Sequence, residues 1–175
     1  MPRLYLETFE QEFQKTKSLA DRSLAQLSDD ELHFQLNPLQ NSVATIIQHM
    51  AGNMRSRFTD LLTTDGEKAS RNREAEFADQ HLARAQLLDL WTSGWKTVFS
   101  ALAPLSDADL PRIITIRNEP HSVMKAIVRQ TAHYAWHAGQ IALIAKHLRQ
   151  DKWQYLTIAP GGSEAFNQKM GVGGK

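Results

Sequence analysis

Apolar residues recur at three- and four-residue steps along four long stretches of the chain, with Lys, Glu and Gln between them. The first stretch carries Leu6, Phe9, Phe13, Ala20, Leu24 and Leu27. The second opens near Ser42 and carries Val43, Ile46, Ile47, Met50, Met54, Phe58 and Leu61. After Asp79 the third carries Leu87, Leu88, Trp91, Trp95, Val98, Phe99 and Leu102. The fourth is expected to begin near Pro120, a residue favoured in a first helical turn, and carries Val123, Ile127, Tyr134, Ile141, Ile144 and Leu148. This period marks an amphipathic helix with one face buried. Four such helices, each of roughly 20 to 28 residues, predict an all-α four-helix bundle.

The breaks between these stretches add detail. TTDGEKASRNREAEF, between the second and third, is long and polar and suits a crossover connection rather than a tight turn. The β-branched run from Pro111 to Arg117 predicts a short extended segment before the fourth helix. Residues 1–150 are read as the bundle domain, and 151–175 as a tail, partly packed and disordered at its Gly-Val-Gly-Gly-Lys end.

An internal repeat also runs through the chain. Ala25-Gln-Leu-Ser-Asp-Asp-Glu-Leu32 resembles Ala103-Pro-Leu-Ser-Asp-Ala-Asp-Leu110, each after a helix and each with Ser and an acid in capping-box spacing. Ser42-Val43 and Ser122-Val123 then open the next helix in each half.

Composition removes several classes of function. Across 175 residues there are 20 Lys+Arg against 19 Asp+Glu, 7 His and no Cys. The net charge of +1 argues against a nucleic-acid binder, which needs a basic face to neutralise phosphates. Without Cys there is no disulfide framework, thiolate zinc site or Cys nucleophile, so any metal must be held by His, Asp or Glu. Polar residues interrupt every apolar run long before about 18 residues, and Glu7 and Glu10 interrupt the first one. A cytoplasmic protein that neither spans nor enters a membrane is expected.

Histidine is where chemistry could enter. His133 and His137 stand four apart in the fourth helix and so share a face. Two imidazoles so placed can reach one ion at metal–nitrogen distances of about 2.0–2.1 Å. His49 lies mid-way along the second helix, seven residues after its Ser-Val pair, while His133 and His137 are eleven and fifteen after theirs. Steps of four keep all three on nearly one side, so pairing the second and fourth helices brings three imidazoles to one interior point. A hydrogen-bonded core role is the competing account of any one of them. His33, His81 and His147 fall in polar surroundings and are expected to face solvent, and His121 is expected to cap the fourth helix.

One His in the second helix, followed by His133-Tyr-Ala-Trp-His137-Ala-Gly-Gln-Ile141, resembles the DinB/YfiT-like superfamily over nearly the whole chain. Asn53-Met-Arg-Ser-Arg57, Thr64-Asp-Gly-Glu-Lys68 and Pro160-Gly-Gly-Ser-Glu-Ala-Phe-Asn167 are similar to a branch of that superfamily with no assigned function. The resemblance implies a bundle with a crossover, a divalent-metal site on His49, His133 and His137, and a homodimer. It also implies relatives that use a metal to activate a small thiol, so a low-molecular-weight thiol is a candidate partner of a small-molecule substrate.

Three neutral imidazoles leave a cation its full charge and at least one open position, which is the pattern of a catalytic rather than a structural site. Imidazole suits Zn, Ni, Cu and Fe alike, with zinc or nickel the leading candidates. No carboxylate in either helix has ligand spacing to these histidines, which argues against a di-iron centre. Asn53 and Arg57 lie one and two turns after His49, and Arg129 one turn before His133, so these three are the pocket candidates for an anionic group. Surface ion pairing is the plainer account of the arginines. Packing or dimer contact is expected of Tyr134 and Trp136, and core packing of Trp91 and Trp95. The expected function is a metal-dependent enzyme, thiol S-transferase-like or hydrolase-like; the alternatives are a non-catalytic metal-binding protein and a metal-free association bundle.

Overall fold

The computed structural model describes residues 2–78 and 80–172. Four long helices dominate it: α1 (Leu4–Leu24), α2 (Val43–Phe58), α4 (Arg84–Leu102) and α5 (Val123–Arg149). Two short ones complete the helical set, α3 (Arg73–Phe77) in the crossover and α6 (Ser163–Lys169) in the tail. Helix α1 packs along α5, α2 along α4, and α2 also meets α5, closing an all-α bundle as the periodicity requires.

Each long helix contributes one aromatic ring to the middle of the core. Phe13 of α1 lies 6.1 Å from Phe58 of α2, 6.0 Å from Trp95 of α4 and 5.8 Å from Tyr134 of α5, centroid to centroid. Edge and tilted contacts of this kind add to the stabilisation from area burial alone. Trp91, one turn before Trp95, donates its indole N–H to Asp21 of α1 at 2.7 Å. Where α2 and α4 cross, Gly94 permits a close approach: a Cβ there would stand 3.2 Å from the Ala51 Cα, tighter than an ordinary contact.

The repeat is physical. Short 3-10 turns follow α1 at Asp30–His33 and α4 at Asp107–Asp109. In each, an acid three residues after a serine accepts that serine's backbone N–H: Glu31 from Ser28 at 2.7 Å and Asp109 from Ser106 at 2.9 Å. Ser42 and Ser122 are then the N-caps of α2 and α5, accepting from the amides of Thr45 and Lys125. Each cap satisfies an otherwise orphaned helix donor and contributes about 1 kcal/mol.

Two expectations need correction. The fourth helix begins at Val123, not near Pro120; Pro120 lies in β2 (Glu119–Ser122), opposite Thr115 of β1 (Ile113–Ile116). A two-stranded ribbon has edges on which a missing N–H costs little, so Pro120 is accommodated there. The crossover is polar as expected, yet it is a built wall rather than a plain loop. Asn72 caps α3 through the Ala75 amide, and Asp65 accepts the backbone N–H groups of Glu67, Arg117 and Asn118. Arg117 and Asn118 form the β1–β2 turn with φ of 56° and 61°, so Asp65 clamps the crossover to that hairpin.

After α5 the tail turns back along α1. Arg22 donates to the Leu156 carbonyl at 2.6 Å, and Gln26 bonds Gln154 through both its amide groups. The expectation of a disordered end covers 171–175: Gly171 and Val172 donate their backbone N–H groups to the Gln168 and Asn167 carbonyls, and 173–175 lie outside the described residues. Among the described residues no helix is long and apolar enough to cross a membrane.

Candidate metal centre

Helices α2 and α5 meet so that His49, His133 and His137 converge, each offering one nitrogen, with the three nitrogens within 4.8 Å of one another. Nε2 of His133 lies 3.3 Å from Nε2 of His49 and 3.0 Å from Nε2 of His137. Metal–nitrogen bonds of about 2.0–2.1 Å would space neighbouring ligand nitrogens about 3.3 Å apart in a tetrahedron and about 2.9 Å in an octahedron. The observed separations fit those edges.

The opposite ring nitrogens decide the tautomers. His49 Nδ1 lies 2.9 Å from Glu76 Oε2, and His137 Nδ1 lies 2.7 Å from Gln140 Oε1. Both partners are acceptors, so Nδ1 carries the proton in each ring and the Nε2 lone pair faces the cluster. His133 can donate to only one of these lone pairs. A cation satisfies all three, and a ring held by an acceptor on its far nitrogen is the usual environment of a metal-binding histidine. The residues therefore fit a divalent ion.

Protons are disfavoured at the same place. Burial, then the neighbouring imidazoles and arginines, holds His133 down to about 3. Burial also lowers His137. The Glu76 carboxyl would be raised by burial, but bonds from Arg71 and His49 outweigh this and keep it below its ordinary range. Glu76 is thus an anion held by two Arg71 bonds of 2.7 Å. Gly52 makes room for it, since a Cβ there would fall 2.2 Å from Glu76 Oε1.

His49 and His133 open onto a cleft of about 370 Å³, and Asn53, Arg57, Arg129 and Trp136 also line it. All three pocket candidates therefore line the cleft that His49 and His133 open onto, though their situations differ. Asn53 accepts the Tyr134 hydroxyl at 3.0 Å, which places its amide oxygen inward. Arg57 is occupied by the crossover, donating to Glu67 at 2.9 Å and to the Gly66 carbonyl. Arg129 contacts His121 Nε2 at 3.4 Å. Trp136 is 67% exposed and stacks on His137, whereas Tyr134 is fully buried. A larger groove of about 900 Å³ between α2 and the crossover shares Arg71 with the cleft and contains none of the three histidines.

The remaining histidines depart from expectation in part. His147 is exposed as expected and stacks on Phe34. His33 is only half-buried, 3.1 Å from the Leu82 carbonyl and beside the His81 ring. His121 is buried on β2 and does not cap α5, a role that Ser122 takes. Glu76, Arg71 and Glu67 were missed because the crossover has no period from which to infer a face. Gln140 lay in the quoted His-Ala-Gly-Gln motif, three residues after His137, and that spacing was the available signal.

A family model described as a protein of unknown function, DUF1572, matches residues 1–162, and the chain belongs to that DinB-like family. Among solved structures it resembles a conserved protein from Enterococcus faecalis, with a TM-score of 0.61 and 15% identity over 80% of this chain and 94% of that one. That likeness concerns the fold alone. No curated protein sequence matches the chain.

Proposed function

We propose that this protein is a metal-dependent enzyme whose ion is held by Nε2 of His49, His133 and His137. The observation that carries the proposal is the convergence of three imidazole nitrogens, two of the rings fixed by acceptors on the far nitrogen, beside an open cleft that His49 and His133 line. Three protein ligands with cleft beyond them suit catalysis better than a closed structural site. A divalent cation held there supplies Lewis acidity and lowers the pKa of a thiol or water that reaches it. Glu76 holds the His49 proton, Gln140 holds that of His137, and Asn53 borders the space a substrate would enter. Thiol S-transferase-like or hydrolase-like chemistry is the class this arrangement serves. A homodimer is part of the same proposal, supported by an exposed apolar stripe of Met124, Val128, Trp136 and Leu143 along α5.

Calorimetric titration of chelator-stripped protein with Zn²⁺ and Ni²⁺ is the test, on wild type and on His49→Ala, His133→Ala and His137→Ala. One ion per chain in wild type and sharply weaker binding in each variant are expected. Equal affinity in wild type and His133→Ala would end the proposal. A screen of the loaded protein with small thiols and electrophiles then separates an enzyme from a scaffold whose ion only pins α2 to α5.

A further inference from the structure

Cations outnumber anions around the histidine cleft. Arg57, Arg71 and Arg117 all contact Glu67, and Arg71 also contacts Glu76, so two carboxylates already serve three guanidinium groups. Among the described residues the carboxylate partner of Arg73 is Glu74, largely exposed and 3.3 Å away, and Arg73 lies 4.8 Å above the Phe77 ring, which packs 4.6 Å from His49. Arg129 has no carboxylate partner among the described residues.

What Arg129 does have is His121. The Nδ1 of that buried imidazole donates to the Glu119 carbonyl at 3.0 Å, leaving Nε2 as a neutral acceptor 3.4 Å from the Arg129 guanidinium. A neutral acceptor orients a cation without cancelling its charge. Along α5, Arg129, His133 and His137 follow at steps of four, so Arg129 sits one turn, about 6 Å of helix axis, before the first histidine, and both line the cleft. Gln130 beside it is buried and also lines the cleft.

We propose that the cleft takes a small anionic substrate, a carboxylate or phosphate ester, whose charged group is received by Arg129, with Arg73 also lining the cleft, while its reacting end lies against the histidine cluster. The inference rests on the cleft being the reaction site. It adds the class of molecule and names Arg129 as the group that selects it, with His121 as a positioning residue. Guanidinium suits both anions because its planar donors pair with carboxylate or phosphate oxygens.

The experiment titrates chelator-stripped and Zn²⁺-loaded protein, at low ionic strength, with inorganic phosphate and separately with succinate. Calorimetry and intrinsic tryptophan fluorescence, to which the cleft-lining Trp136 contributes, give two readouts. Saturable binding is expected in wild type, weakened about tenfold or more in Arg129→Gln and less in Arg129→Lys, as suits loss of a charge-assisted bond. Arg112→Gln, which alters an exposed arginine outside the cleft, should bind as wild type does. Preference for one anion assigns the substrate's charged group to that class and supports the proposal. Unchanged affinity in Arg129→Gln, or no saturable binding of either anion, overturns it. If Zn²⁺ binds and the anions do not, only this inference falls; if Arg129-dependent anion binding persists in protein that takes up no Zn²⁺, the metal proposal falls and the anion site stands.

Discussion

Glu76 Oε2 accepts the Nδ1 proton of His49 at 2.9 Å, across 27 residues of sequence, so the crossover sets the tautomer of a histidine on α2. The bond also joins the His cluster to Arg71, whose side chain is 4% exposed. The first prediction follows. Glu76→Gln should keep the fold and weaken zinc affinity by about 10- to 100-fold, the usual cost of losing a carboxylate behind a ligating histidine. Glu76→Ala should also lower the melting temperature of metal-free protein, because Arg71 loses its bidentate partner. Calorimetry and thermal melts check both; wild-type zinc affinity in Glu76→Gln would contradict the role given to this bond.

Gly52→Ala separates helix stability from site geometry. Alanine is the better helix former by up to about 1 kcal/mol, yet its Cβ would collide with Glu76 Oε1. The carboxylate is the movable partner. Expected are a melting temperature lowered toward that of Glu76→Ala, as the displaced carboxylate lets go of Arg71, and a zinc affinity reduced toward that of Glu76→Gln. Loss of stability with intact metal binding would show that the helix gives way instead.

Acid should destabilise the metal-free protein over a defined window. His133 is held to about 3 when folded, chiefly by burial, against about 6.5 in an unfolded chain. Between those values the unfolded chain carries the extra proton, so stability falls as pH drops. Glu76, also lowered on folding, pulls the same way below its ordinary pKa. Urea midpoints should decline steadily from pH 7 to pH 4; a flat profile would mean His133 is not shielded as described.

Phe13→Ala removes the ring that touches Phe58, Trp95 and Tyr134, and so loosens all four long helices together. A loss of about 3–5 kcal/mol is expected from denaturant unfolding. A cost below about 1 kcal/mol would indicate that the core collapses around the gap.

Leu143 is 63% exposed on the α5 stripe, and it is not among the residues lining the cleft. Wild type should sediment as a dimer at tens of micromolar and Leu143→Glu as a monomer, with zinc affinity unchanged. A monomeric wild type removes the dimer from the proposal.

The parts legible in the sequence were those with a period or a fixed local offset. Helices α1, α2, α4 and α5 declared themselves through apolar spacing, the starts at Ser42 and Ser122 through the repeated Ser-Val pair, and the three histidines through matched depth on two helices. Glu67, Arg71 and Glu76 had no such handle. Their partners lie on other elements, and only tertiary approach brings them together. His121 was misjudged because Pro120 suggested a helix start three residues early, although the ribbon there needs no N–H from proline.

Asp65 belongs to the first half of the chain, yet its carboxylate is filled by amides of Arg117 and Asn118 in the second. Its pKa is driven well below the ordinary range, first by the Glu67 amide and then by those two. One wall of the cleft therefore cannot close until both halves have docked, and the loop-closure entropy of more than fifty intervening residues is spent before it does. An insertion between Thr64 and Lys68 would therefore be tolerated far less well than in an ordinary surface loop.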